Sequence, residues 1–174
     1  MKNHIPTTHP VRSVWSRRLA VLGASLVLAT HALATTYTVT NDADSGVGSL
    51  RWAVDQCNSH SNNAANPTDT IVFDATYFSV PRTITLTSDE LYVSDASGTT
   101  IIAGPGAELL TIDGNDSWRA FFIKQNALAD ISGLTIANGW TFEGNSSSGS
   151  GSQGGAINNQ GILTLNAVAV RNCR

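Results

Sequence analysis

Asp113, Asp116 and Arg119 are the residues whose types and spacing come nearest to a reaction centre in this chain. β-Elimination on an acidic polysaccharide needs several carboxylates around Ca²⁺ and an arginine to take the proton, and these three are the nearest approach to that set. Hydrolysis of the same polymers asks instead for clustered aspartates, one as acid and one as base, with a histidine beside them. Beyond residue 34 the one histidine is His60, far away in the chain. Asp113-Gly114-Asn115-Asp116 reads equally well as a turn, with Arg119 available for an ion pair. It also lacks the repeated Gly-Gly-x-Gly-x-Asp of calcium-binding β-rolls. Trp52, Trp118 and Trp140 offer faces on which sugar rings stack, and Trp140, beside a Ser/Gly-rich run, is the best placed. Packing accounts for the three tryptophans as simply. No catalytic residue, metal site or cofactor is assigned on these grounds, and Asp113, Asp116, Arg119 and Trp140 stand as ligand candidates.

The elements that would position these residues are repeats. Phe121–Asn138 overlays Gly155–Asn172 at an offset of 34, placing Ile123 on Ile157, Ile131 on Leu165, Leu134 on Val168, Ile136 on Val170 and Asn138 on Asn172. A shorter echo stands 24 residues upstream, where Leu110-Thr111-Ile112 precedes Leu134-Thr135-Ile136. Apolar residues alternating over such short stretches, with Gly, Asn and Asp between them, mark strands wound into a solenoid. The fold class is therefore all-β, a right-handed parallel β-helix. Three short strands and their turns make a coil of about 24 residues, and successive coils stack at about 4.8 Å. Leu110, Ile112, Leu134, Ile136, Val168 and Val170 form its core stack. Asn138 and Asn172 form a ladder at a coil corner, their amides serving turn backbone and one another.

Before the coils, Thr36–Thr40 alternates as a strand, and Ser49 caps a helix running to about Cys57. Leu50, Ala53, Val54 and Cys57 share one apolar face of it. Such an amphipathic capping helix covers the core and the unpaired edge that the first coil would otherwise expose.

Residues 1–34 have the form of a secretory signal peptide: a basic start ending at Arg17-Arg18, an apolar run from Leu19 to Ala29, and Ala32-Leu33-Ala34 at the cleavage site. That run is shorter than the roughly 20 residues a membrane span needs, so no transmembrane anchor is expected once the leader is removed. Residues 35–68 hold the strand, cap helix and a loop, and 69–174 the coils, with the Ser/Gly-rich excursion at 140–154. Past the leader, 6 basic residues face 13 acidic ones, a formal charge of −7, which argues against nucleic acid as a partner. Cys57 and Cys173 fall at opposite ends of the solenoid and are expected to stay unbridged.

Asp44-Ser45-Gly46-Val47-Gly48-Ser49-Leu50-Arg51 is similar to the N-terminal cap motif of secreted bacterial β-helix proteins of the pectin-lyase-like class. Thr70–Asp74, Thr83–Leu86, Ala103–Gly106 and Leu110–Gly114 keep that family's order, and Gly154-Gly155-Ala156-Ile157 resembles an element of polymorphic outer-membrane protein repeats. The Phe-x-x-Asn partner of that element is replaced by Val170-Arg171-Asn172-Cys173. The resemblance implies an exported protein, secreted or at the cell surface (the outer membrane of a Gram-negative bacterium), with adhesin-like roles and host or cell-surface glycans or proteins as partners. With Val168 and Val170 so near Arg174, the chain is expected to be the N-terminal part of a longer protein. The competing expectation is a polysaccharide lyase or glycoside hydrolase whose active site lies beyond residue 174.

Overall fold

The computed structural model describes residues 1, 35–61, 68–141 and 154–174. The expected leader, Met1 aside, lies outside the described residues, as does most of the Ser/Gly-rich excursion. Strand β1 (Thr35–Val39) is followed by helix α1 (Leu50–Ser59), and then, among the described residues, by strands alone apart from a helical turn at Tyr77–Ser79. These are β2 (Thr68–Phe73), β3 (Arg82–Thr85), β4 (Leu91–Val93), β5 (Thr99–Ala103), β6 (Leu110–Asp113), β7 (Phe121–Ile123), β8 (Leu128–Ala137), β9 (Ile157–Asn159) and β10 (Ile162–Arg171). Every strand pairing is parallel. The expected architecture is observed: a parallel β-solenoid of about four turns with one short helix.

Helix α1 starts because Ser49 is extended and its hydroxyl accepts the Trp52 N–H at 3.1 Å. It stops at His60, also extended, whose N–H closes on Gln56 O at 3.0 Å. Leu50, Ala53, Val54 and Cys57 are all buried, as their spacing requires.

The coils have three faces. One stacks β1, β2, β5 and the first halves of β8 and β10; the second stacks β3, β6 and the second halves of β8 and β10; the third is β4-β7-β9. Inward residues pile into columns because parallel register repeats each position one strand spacing further on. Tyr37, Ile71, Ile102, Ile131 and Leu165 form one column, and Ile84, Ile112, Ile136 and Val170 another. Completely buried side chains of this size each contribute roughly 1.5–3 kcal/mol. One inward column is polar where it passes the helix: Asp69 and Thr100 are wholly buried, and Asp69 is met by His60 Nδ1 at 2.9 Å.

The coil length differs from the sequence expectation. Register steps on the first face are 34, 31, 29 and 34 residues, and the 24-residue step joins only β6 to β8. A shortened corner causes it. Between β5 and β6 the chain uses residues 104–109, whereas β8 turns the same corner at Gly133 alone. Gly133 has φ +62°, and a Cβ there would sit 2.5 Å from Gly104 O. In β10 the same corner falls on Ala167, with φ 53°.

The outer end of the core stack is less covered than its spacing implies. Leu110, Ile112, Leu134 and Ile136 are fully buried. Val168 and Val170 keep register with Leu134 and Ile136, but Val168 is half-buried and Val170 is 52% exposed. They lie in the outermost described coil and are covered from one side only, as is Leu165.

Two outcomes follow from this packing. Ile136→Asp places an unpaired charge between two coils and lowers stability by at least about 4 kcal/mol, whereas Val170→Asp in the same column changes it by less than about 1 kcal/mol; equal shifts in urea midpoint would contradict the column. At the corner, Ala167→Gly raises stability by roughly 0.5–1 kcal/mol by relieving a left-handed alanine, and Gly133→Ala lowers it by more than that, both read from thermal melts.

Candidate functional site

The densest polar constellation among the described residues lies between α1 and β4. Because β4 is the first strand of its sheet, its outer edge has no strand to pair with among the described residues. Side chains of α1 take that role. Arg51 donates from Nη1 to Glu90 O at 2.9 Å and from Nη2 to Asp89 O at 2.6 Å. One turn pair further along, Asn58 Nδ2 donates to Tyr92 O at 2.7 Å while its Oδ1 accepts from Ser94 N at 2.8 Å. The Asn58 amide thus presents a donor and an acceptor to β4 much as a peptide group in a neighbouring strand would.

Arg51 is held in turn by Asp44, whose Oδ1 lies 2.6 Å from Nη2. The other oxygen of Asp44 accepts from the backbone and hydroxyl groups of both Thr87 and Ser88. Partial burial works to raise the Asp44 carboxyl. The hydrogen bonds of Ser88, Arg51 and Thr87, with Arg51's charge, outweigh it and lower the pKa to about 2. Burial pushes the Glu90 carboxyl up, against its bond to Arg119.

That bond decides the first ligand candidate. Arg119 reaches Glu90 Oε2 at 3.2 Å and Thr141 Oγ1 at 2.8 Å. Asp113 and Asp116 are engaged elsewhere. Asp113 accepts the Asn115 N–H at 2.7 Å and the Asn138 amide at 3.1 Å. Asp116 pairs with Arg174 at 3.2 Å, where both side chains are largely exposed and the pair contributes little. The segment is a turn with Asn115 and Asp116 both left-handed, closed by Ser117 and Trp118 N–H bonds to Gly114 O. Gly114 is required there, since a Cβ would stand 2.2 Å from Trp118 O. Asp113 is thus bonded within its turn and to Asn138, Asp116 to Arg174, and Arg119 to Glu90 and Thr141.

Asn138 and Asn172 do share a corner. Both are left-handed, with φ 51° and 53°, and Asn138 N donates to Arg171 O at 3.1 Å. Their ladder is one of backbone conformation, because the Asn138 amide turns to Asp113 and Asn172 is exposed. Trp140 is half-buried, its N–H on Trp118 O; Trp52 packs edge-on against Tyr37. The aromatic pair that sequence spacing missed is Tyr92 with Phe122, stacked at 5.2 Å on the outside of the third face. Its offset of 30 matches neither spacing that the repeats displayed.

Cys57 and Cys173 are unbridged; burial, reinforced by Asp69 and Asp95, pushes the Cys57 thiol up to about 12. Such a thiol is no nucleophile. Among the described residues no three His, Cys, Asp or Glu side chains converge as a metal site, and no helix is long and apolar enough to cross a membrane.

Fold and site together define the class: a helix-capped parallel β-solenoid in which Asp44, Arg51, Asp113 and Arg119 bind its own turns and edge. Scans against protein-family models, curated proteins and solved structures return no match.

The Asp44 network carries a pH signature. Its depressed carboxyl stabilises the fold fully above its ordinary value of 3.8, and that contribution disappears as pH falls through about 2. Glu90, shifted the other way, favours the fold below its ordinary value and loses that contribution as pH rises. Melting temperature is expected to fall on acidification through this Asp44 window. Asp44→Asn should lower it at neutral pH and flatten the acid slope; an unchanged slope would remove Asp44 from the account.

Proposed function

We propose that this protein is an exported β-helix scaffold, secreted or surface-associated, that presents binding surface in an adhesin-like role. One observation carries the reading: the carboxylates and arginines that could have formed a reaction centre hold turns and the cap instead. Arg119 serves Glu90, Asp113 serves a left-handed turn, and Asp44 with Arg51 seals the N-terminal edge. A stack closed at this end and repetitive along its length suits display. The leader-like residues 1–34 and the resemblance of Asp44–Arg51 to the cap motif of secreted pectin-lyase-like and outer-membrane repeat proteins support export. Glycans or proteins of a host or cell surface are the partners such a scaffold would meet.

Expression of the chain with a C-terminal tag in a Gram-negative host tests this. The mature protein is expected outside the cytoplasm with its N-terminus just after Ala34, and inactive on pectin and polygalacturonate with or without Ca²⁺. Intact chain retained in the cytoplasm would defeat export, and release of unsaturated or reducing sugar would move the assignment to a polysaccharide lyase or hydrolase.

A further inference from the structure

The third face carries a ring stack that is open at one end. Outward positions of a solenoid wall meet water and are ordinarily polar, yet β4 and β7 place Tyr92 and Phe122 there in direct register. Their centroids lie 5.2 Å apart with an interplanar angle of 20°, so one face of Tyr92 rests on Phe122. The opposite face looks away from β7, toward the side of β4 where the sheet has no further strand among the described residues. Tyr92 is 44% exposed, and its hydroxyl has no partner among the described residues.

What borders that open face is α1. Arg51 binds the backbone just before β4, at Asp89 and Glu90, and Asn58 binds Tyr92 itself, so the helical face between them is turned to this strand. Asp55 lies on that face, four residues after Arg51 and three before Asn58. It is exposed, and its carboxylate makes no hydrogen bond or ion pair among the described residues; only its carbonyl is engaged, by Ser59 Oγ. Arg51 and Asn58 are already committed to the strand. Among the described residues the Asp55 carboxylate, the Tyr92 hydroxyl and the Ser94 hydroxyl are the unengaged polar groups here.

We propose that the open face of Tyr92, with the Asp55 carboxylate at its rim, binds a pyranose unit of a neutral β-linked glycan. The inference rests on the display reading above and names its ligand class. A pyranose whose substituents are equatorial has C–H faces, which stack on an aromatic ring, and hydroxyls around its edge, which donate to a carboxylate. Seated on Tyr92, it continues the ring column by one step of about 4.8 Å, in the place a preceding strand's side chain would take. Phe122 behind the tyrosine and the α1 clamp on its backbone hold the ring in place, so little side-chain entropy is lost on binding. One exposed face is not a cage, which distinguishes the site from one built for a quaternary ammonium ion.

Titration of the ¹⁵N-labelled full chain with cellotetraose tests the assignment. Saturable shifts are expected at amides of α1 and β4, with a Kd on the order of 1 mM. Tyr92→Phe should keep the affinity within about threefold, whereas Asp55→Asn and Tyr92→Ala should each weaken it by about tenfold or more. Asp55 is exposed and makes no side-chain bond, so its variant reports even if Tyr92→Ala fails to fold. Trp140→Ala should leave binding as it was. No saturable shift in the wild type, binding that follows Trp140 instead, or binding of tetramethylammonium but not cellotetraose would each overturn the site. Those results leave the export assay untouched, so failure here is distinguishable from failure of the scaffold reading.

Discussion

A stack of parallel strands must end somewhere, and at each end a row of N–H and C=O groups has lost its partner. The N-terminal part of this chain is arranged around that constraint. Helix α1 buries Leu50, Ala53, Val54 and Cys57 against the first coil while Arg51 and Asn58 satisfy the β4 edge. One element thereby closes both the apolar cross-section and the hydrogen-bonding edge. Asp44 orients Arg51 and ties the preceding loop to Thr87 and Ser88, which makes the cap and the first coil one polar unit.

Beyond the cap, the columns set what varies and what does not. A parallel register demands the same kind of side chain at each level, and Ile84, Ile112 and Ile136 comply. Corners are freer. One takes six residues in one coil and a single Gly133 in the next, with no change in the register of the strands either side. Corners are also where left-handed backbone collects, at Asn115, Asp116, Asn126, Asn138, Ala167 and Asn172. Short polar side chains tolerate that region because they can bond locally, which explains the many Asn residues between apolar triplets.

The same local bonding accounts for the residues that resemble chemistry. A carboxylate at a tight turn accepts backbone N–H groups two residues on, as Asp113 and Asp95 both do. In a fold made of turns, aspartates near one another are therefore poor indicators of a reaction. Aromatic side chains on the outer wall are more informative, because nothing in the stacking requires them to face water.

The alternating triplets, their recurrence and the capped amphipathic helix determined the solenoid, the strand positions and the buried face of α1 without coordinates. Those properties arise from nearest-neighbour periodicity, which a linear string records. The length of a coil was not legible, since one shortened corner produced the 24-residue echo and concealed steps of 29 and 31 on the first face. Nor were the partners of Arg119, Asn58 and Tyr92, which lie 29, 34 and 30 residues away. Each depends on which levels of the stack meet, and that is set by loop lengths summed around three faces. Only the folded chain performs that sum.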